Sequence, residues 1–264
     1  MTADAFRNLI AQTRDKSFLV ARRGIEKEGL RVSRDTHRIS QLPHPTALGS
    51  ALTHSAITTD YSEALLEFIT GVHATPESAL EELFHLHAYT SQSLPDEIIW
   101  SASMPGELEG EADIPIAHYG SSNIGTMKRV YRNGLGARYG RAMQAIAGIH
   151  YNFSLPETFW ELSLAHSETT LSIQDWRTQG YLALIRNFQR RLWLLNFLTG
   201  SLCMNRTQSL CNPSVVVQLR PPFLVHQNPT SSLFSYAEYC FSKVLVNFVP
   251  CAAQSYSYLL FSIP

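Results

Sequence analysis

The chain has 264 residues, a formal net charge of -1 and a charged fraction of only 16%. Near-neutrality argues against electrostatic nucleic-acid binding and an acidic tail, and no run of about 18 apolar residues suggests a membrane span. The start, from Met1 to Ile10, lacks an apolar core after a basic segment, so it does not read as a secretory signal.

The length allows one large domain or two small ones. Charge is spread unevenly: residues 201–264 hold only Arg206, Arg220, Glu238 and Lys243, together with all four cysteines, Cys203, Cys211, Cys240 and Cys251. A break is expected near Gly200, giving a body over residues 1–200 and a low-charge tail over 201–264 whose composition reads as out-of-frame sequence. With no cysteine in the body, no disulfide framework holds it, and a cytoplasmic location is expected.

Taken in order, residues 3–14 can form a short helix with Phe6, Leu9 and Ile10 on one side. Gly24–Val32 reads as a strand on which Glu26, Glu28, Leu30 and Val32 share a face. Two carboxylates pointing the same way repel unless a cation lies between them or water screens them, and Lys27 and Arg31 are alternative neighbours. Ser33–Thr36 reads as a turn and Arg38–Leu42 as a returning strand. The segment after Asp60 has two readings. Asp60 and Glu63 could form a capping box, or Leu65–Val72 could be a buried strand, which its β-prone residues favour. In the strand reading Glu67 is flanked by Leu65, Leu66, Phe68 and Ile69, and burial there calls for a metal or a cationic partner.

Thr75–Pro76–Glu77 starts a helix, with Thr75 as N-cap and Pro76 in its first position, and Pro95 lies beyond its end. His85 and His87, two apart on a helix, cannot chelate one ion together. Residues 96–120 read as irregular. Thr126–Tyr139 reads as a basic helix carrying Lys128, Arg129, Arg132 and Arg138, weakened by Gly134 and Gly136. Either this face is solvated or it meets anionic groups. Ala145–Leu155 alternates strictly: Ala145, Ala147, Ile149, Tyr151, Phe153 and Leu155 on one face, and Gln144, Ile146, Gly148, His150, Asn152 and Ser154 on the other. The polar face is either solvated or the floor of a polar site. Asp175–Leu198 reads as a long supporting helix.

Glu26, Glu28, Asp60, Glu67 and His150 together suit a hard divalent cation, Mg²⁺ or Mn²⁺. No fixed spacing joins them. Five ordered stretches add specificity: Gly24–Arg31, Leu48–His54, Ile57–Glu67, Tyr119–Asn123 and Ile149–Pro156 resemble the proteobacterial type of glutamate–cysteine ligase across about residues 15–200. The resemblance implies an α+β fold similar to glutamine synthetase, a curved antiparallel sheet with outer helices, here incomplete. It implies ATP-dependent joining of the γ-carboxyl of L-glutamate to L-cysteine through a γ-glutamyl phosphate, the first step of glutathione synthesis. Carried over by motif, Glu26, Glu28, Asp60, Glu67 and His150 form the metal and nucleotide-phosphate shell. Tyr131 and Gln144 line the cysteine pocket, and Asn152 steadies the shell. Family chains are roughly twice as long, so a truncated and impaired copy is expected. The alternatives are a non-catalytic remnant that binds nucleotide or metal weakly, and a related carboxylate–amine ligase.

Overall fold

The computed structural model describes residues 3–13, 16, 19–198 and 215–219. Most of the tail, with its four cysteines, lies outside the described residues, as does the expected break at Gly200. Strand β1 (Arg22–Ser33) is the axis of a six-stranded sheet in the order β2 (Ile57–Thr59), β3 (Leu65–Ile69), β1, β5 (Ile149–Ser154), β6 (Val215–Leu219), with β4 (Glu97–Ile99) also paired to β1. The β1 pairings with β3, β4 and β5 are all antiparallel, as expected. The exception is β6, which pairs in parallel with β5 and lies within the stretch assigned to the tail.

The strand reading of residues 65–72 holds over Leu65–Ile69, with every residue but Ile69 buried. Helix α2 (Pro76–Gln92) begins where its cap predicts: the Thr75 side chain accepts a hydrogen bond from the Ser78 N–H. Within residues 96–120, read as irregular, β4 pairs with the end of β1. Three residues are too short to show a periodic pattern. The hairpin expected over Arg38–Leu42 reduces to a single bridge between Val32 and Ile39.

One face of β1 carries both site and core. Leu30 and Val32, fully buried, pack with Tyr61, Ala64, Leu65, Ile114, Ala145 and Ala147. Each large apolar side chain removed from water there contributes about 1.5–3 kcal/mol. The opposite face lies under α2, where Ile57, Leu66 and Phe68 meet Leu83 and Leu86. A third cluster joins α1 (Ala3–Gln12), α4 (Glu157–Ala165) and α5 (Ile173–Leu198) through Leu9, Phe159, Trp160 and Tyr181. It packs at the far end of β5, where the Tyr181 hydroxyl accepts the Leu155 N–H at 3.1 Å.

The alternation over residues 145–155 is only partly a strand. Ala142–Ala145 forms a 3₁₀ turn and β5 begins at Ile149. Burial there runs opposite to the apolar-in expectation: Ile149 is 43% exposed and His150 only 6%. The polar face is the covered one because its partners are other side chains of the site.

Candidate functional site

Directly opposite residues of an antiparallel pair point to the same side of the sheet. Glu28 stands opposite Glu67, and Glu26 opposite His150. Asn152 stands opposite Gly24, two residues before Glu26. Three strands therefore deliver Glu26, Glu28, Glu67, His150 and Asn152 to one face. Thr58 stands opposite Glu67, and the Asp60 N–H bonds the Leu65 carbonyl, which carries the β2–β3 ladder on to Asp60.

The side chains are tied to one another. Asn152 Nδ2 donates to Glu26 Oε1 at 2.9 Å. Glu28 Oε2 accepts the Gly148 N–H at 2.7 Å, and Glu28 Oε1 lies 3.3 Å from His150 Nε2. Burial alone disfavours the imidazolium, but the hydrogen bond and charge of Glu28, with the charges of Glu26 and Glu67, outweigh it and raise His150 to about 10. Desolvation and then the charge of Glu28 push Asp60 up to about 6, against the opposing pull of Arg132 and His150. Glu67 is raised well above the ordinary carboxylate range by burial, then by Glu26, Asp60 and Glu28. The face holds more negative charge than its own cations neutralise.

Helix α3 (Asn123–Tyr139) flanks this face. Arg132 Nε donates to the Asp60 carbonyl at 2.6 Å. The Arg132 guanidinium and the Lys128 ammonium lie 4.8 and 4.9 Å from the Tyr119 ring centre. Tyr119 is fixed in turn: its hydroxyl donates to the Thr59 carbonyl at 2.7 Å and accepts from the Thr59 hydroxyl at 2.9 Å. The cationic face of the helix thus meets the acidic site, as one of its two readings anticipated.

The family model for Glutamate-cysteine ligase matches residues 6–220. The chain belongs to the glutamate–cysteine ligase family. It is 58% identical over 179 residues to the glutamate–cysteine ligase of Saccharophagus degradans, covering 68% of this chain and 34% of that protein. It is 57% identical over 178 residues to the enzyme of Pseudomonas putida strain KT2440, covering 67% and 34%. The crystal structure of the Francisella tularensis glutamate–cysteine ligase in complex with AMP superposes with a TM-score of 0.61 at 44% identity, covering 67% of this chain and 34% of that one. A bifunctional glutathione synthetase from Pasteurella multocida gives 0.64 at 31% identity, covering 74% and 24%. The chain therefore spans about a third of the length of the curated relatives it matches. The family match runs past Gly200 and includes β6.

Of the residues the family resemblance singles out, Glu26, Glu28, Glu67, His150 and Asn152 share one sheet face, and Asp60 joins them electrostatically. Tyr131 and Gln144 are half-buried on the flanking elements, α3 and the 3₁₀ turn, with Tyr131 next to Arg132. Among the described residues, no three His, Cys, Asp or Glu side chains are set to hold one metal ion. Sequence reasoning missed Glu63, whose carboxylate accepts the N–H groups of His44 at 2.9 Å and His118 at 2.7 Å. It thereby fixes the segment that leads to Tyr119. Its spacing from Asp60 suggested a helix cap, and the contacts that replace that cap are too distant in sequence to be read locally. Tyr119 was legible only as part of a family stretch.

Proposed function

We propose that the sheet face built by Glu26, Glu28, Asp60, Glu67 and His150 serves the ATP-dependent ligation of L-glutamate to L-cysteine, the first step of glutathione synthesis, on a glutamine synthetase-like scaffold in the cytoplasm. The observation that carries this reading is the excess of buried carboxylate on that face, within a family whose relatives bear the ligase name.

The donor set fits Mg²⁺ or Mn²⁺: hard oxygen ligands in a place where burial and neighbouring carboxylates raise both Asp60 and Glu67 above the ordinary carboxylate range. Without a ready three-residue cage, Glu26, Glu28, Asp60 and Glu67 would hold ions one or two carboxylates at a time, the usual Mg²⁺ arrangement when substrate phosphates complete the shell. Bound divalent ions neutralise phosphate oxygens and stabilise the charge that develops during phosphoryl transfer. A γ-carboxylate oxygen of glutamate attacks the terminal phosphorus of ATP and releases ADP. The cysteine amine then attacks the acyl carbon, loses a proton and expels inorganic phosphate. The residues of this chain act by placement. His150 as imidazolium fixes Glu28, and Asn152 fixes Glu26. Lys128 and Arg132 present positive charge from α3 beside the acidic face. Tyr131 and Gln144 line the cysteine side.

The test is ADP release by the purified 264-residue chain. Release that requires both glutamate and cysteine supports ligation. A second reading is binding of metal or nucleotide without turnover, favoured by the chain's spanning about a third of its relatives' length. Saturable Mg²⁺ binding with no ADP release would select it. Turnover with another amine but not with cysteine would indicate a related carboxylate–amine ligase.

A further inference from the structure

The reverse face of β1 carries a second polar site. Lys27 lies between Glu26 and Glu28 in sequence, so its side chain leaves the sheet on the opposite side. There it helps line a cavity of about 390 Å³ with Arg34, His87, Glu97, Ile99 and Trp100. This volume is in the range of small-molecule sites.

The charges in the cavity do not cancel. Both oxygens of Glu97 are taken by Arg31 Nη1 at 2.9 Å, and Arg31 is fully buried beneath. Among the described residues Lys27 Nζ reaches only a backbone carbonyl, that of Glu28, at 3.3 Å. Arg34 Nη2 likewise reaches only the Glu97 carbonyl at 3.3 Å. Among the described residues neither cation has a carboxylate at ion-pair distance. His87 Nε2 is buried and has no hydrogen-bond partner among the described residues. Its ring packs at a tilt of 38° against Phe68, with centroids 4.3 Å apart. Burial, then the charge of Lys27, lowers His87 to about 4, so it is a neutral ring with a nitrogen to offer. Trp100 borders the cavity, anchored by its Nε1–H to the Met104 carbonyl at 2.9 Å, and Ile99, opposite Arg31 on the Lys27 side of the sheet, adds apolar surface.

We propose that this cavity binds a small organic anion, a carboxylate or phosphate monoester on a flat apolar body. Its charge lies between Lys27 and Arg34, its body lies against Trp100 and Ile99, and a polar edge meets His87 Nε2. The site does not depend on the ligase reading. The backbone of β1 separates it from the acidic face.

The experiment titrates the full chain with phenyl phosphate and follows the tryptophan indole resonances by NMR, with Trp100→Phe used to assign the Trp100 signal. The expected result is a saturable shift of the Trp100 signal, produced also by benzoate but not by benzyl alcohol. Arg34 is exposed, so Arg34→Gln leaves the fold intact, and it should weaken binding about tenfold, the worth of one charge-assisted contact. Lys27→Met should do the same. His87→Phe should weaken both probes while leaving the other indole signals in place. Absence of a saturable Trp100 shift overturns the proposal. So does equal affinity in Arg34→Gln, or an equal response to benzyl alcohol.

Discussion

Glu28 and His150 meet across the β1–β5 pair with Oε1 and Nε2 3.3 Å apart, although Glu28 does not stand directly opposite His150. The contact is diagonal, within reach of long side chains on one sheet face. It holds a buried imidazole in its charged form.

That protonation sets a pH dependence. Burial opposes the charge, but Glu28, Glu26 and Glu67 keep the proton on folded His150 up to about 10, whereas an unfolded histidine releases it near 6.5. Between those values the folded chain binds more protons than the unfolded chain, so stability falls as pH rises. The slope is about 1.4 kcal/mol per pH unit for one proton. Urea unfolding across this window should show the decline, and His150→Gln should flatten it. An unchanged slope in the variant would mean that His150 titrates normally.

Glu67→Gln should act in opposite directions on fold and function. Glu67 resists ionisation because of burial and three neighbouring carboxylates. A neutral isostere should stabilise the metal-free chain at neutral pH by about 1 kcal/mol and weaken Mg²⁺ binding tenfold or more. Thermal unfolding with and without Mg²⁺ measures both. Destabilisation of the metal-free variant would show that the Glu67 carboxylate is well satisfied.

Metal binding should expel protons. Asp60 titrates at about 6, above its ordinary 3.8, so near that pH a divalent cation displaces a proton. Calorimetric titration with Mg²⁺ in buffers of different ionisation enthalpy should give different apparent heats near pH 6. Equal heats in all buffers near pH 6 would leave Asp60 out of the metal shell.

Glycines in α3 provide a paired test of packing against propensity. Among the described residues a Cβ on Gly134 meets nothing within 4 Å, whereas one on Gly136 lies 2.4 Å from the Tyr61 hydroxyl. Gly134→Ala should stabilise by about 0.5–1 kcal/mol through helix propensity alone. Gly136→Ala should destabilise by about 1–3 kcal/mol, because Tyr61 is buried and cannot move aside freely. Denaturant midpoints compare the two. Equal effects would refute the close approach of α3 to Tyr61.

Breaking the buried Arg31–Glu97 pair should cost more than any of these. Arg31 Nη2 also donates to the Leu42 and Glu63 carbonyls, at 2.8 and 3.0 Å. Arg31→Met leaves a buried carboxylate and two carbonyls without their partner, for a loss of about 3–5 kcal/mol. A loss below about 1 kcal/mol would indicate that water replaces the guanidinium.

Local pattern was enough where a segment is organised by its own residues. The Thr75 cap, the carboxylate pair on β1 and the buried strand around Glu67 are all legible because period and cap chemistry are short-range. The burial of His150 was not legible from its own strand, because the groups that cover it come from β1 and β3. Glu63 failed for a similar reason: its partners are 19 and 55 residues away. β4 pairs over only three residues. The resemblance to a known family named the acidic-face residues together, but none of the contacts among them. It did not reach the Tyr119 support of α3, which depends on two cations over one ring and on one hydroxyl.

β1 alternates a carboxylate, an ammonium and a carboxylate at Glu26, Lys27 and Glu28, and every one of them has a different side of the sheet to serve than its neighbour. An insertion or deletion of a single residue within this strand would exchange the two sides, sending Lys27 among the acids and Glu26 and Glu28 beneath α2. Natural variants of this segment should therefore differ by replacement of side chains and not in spacing.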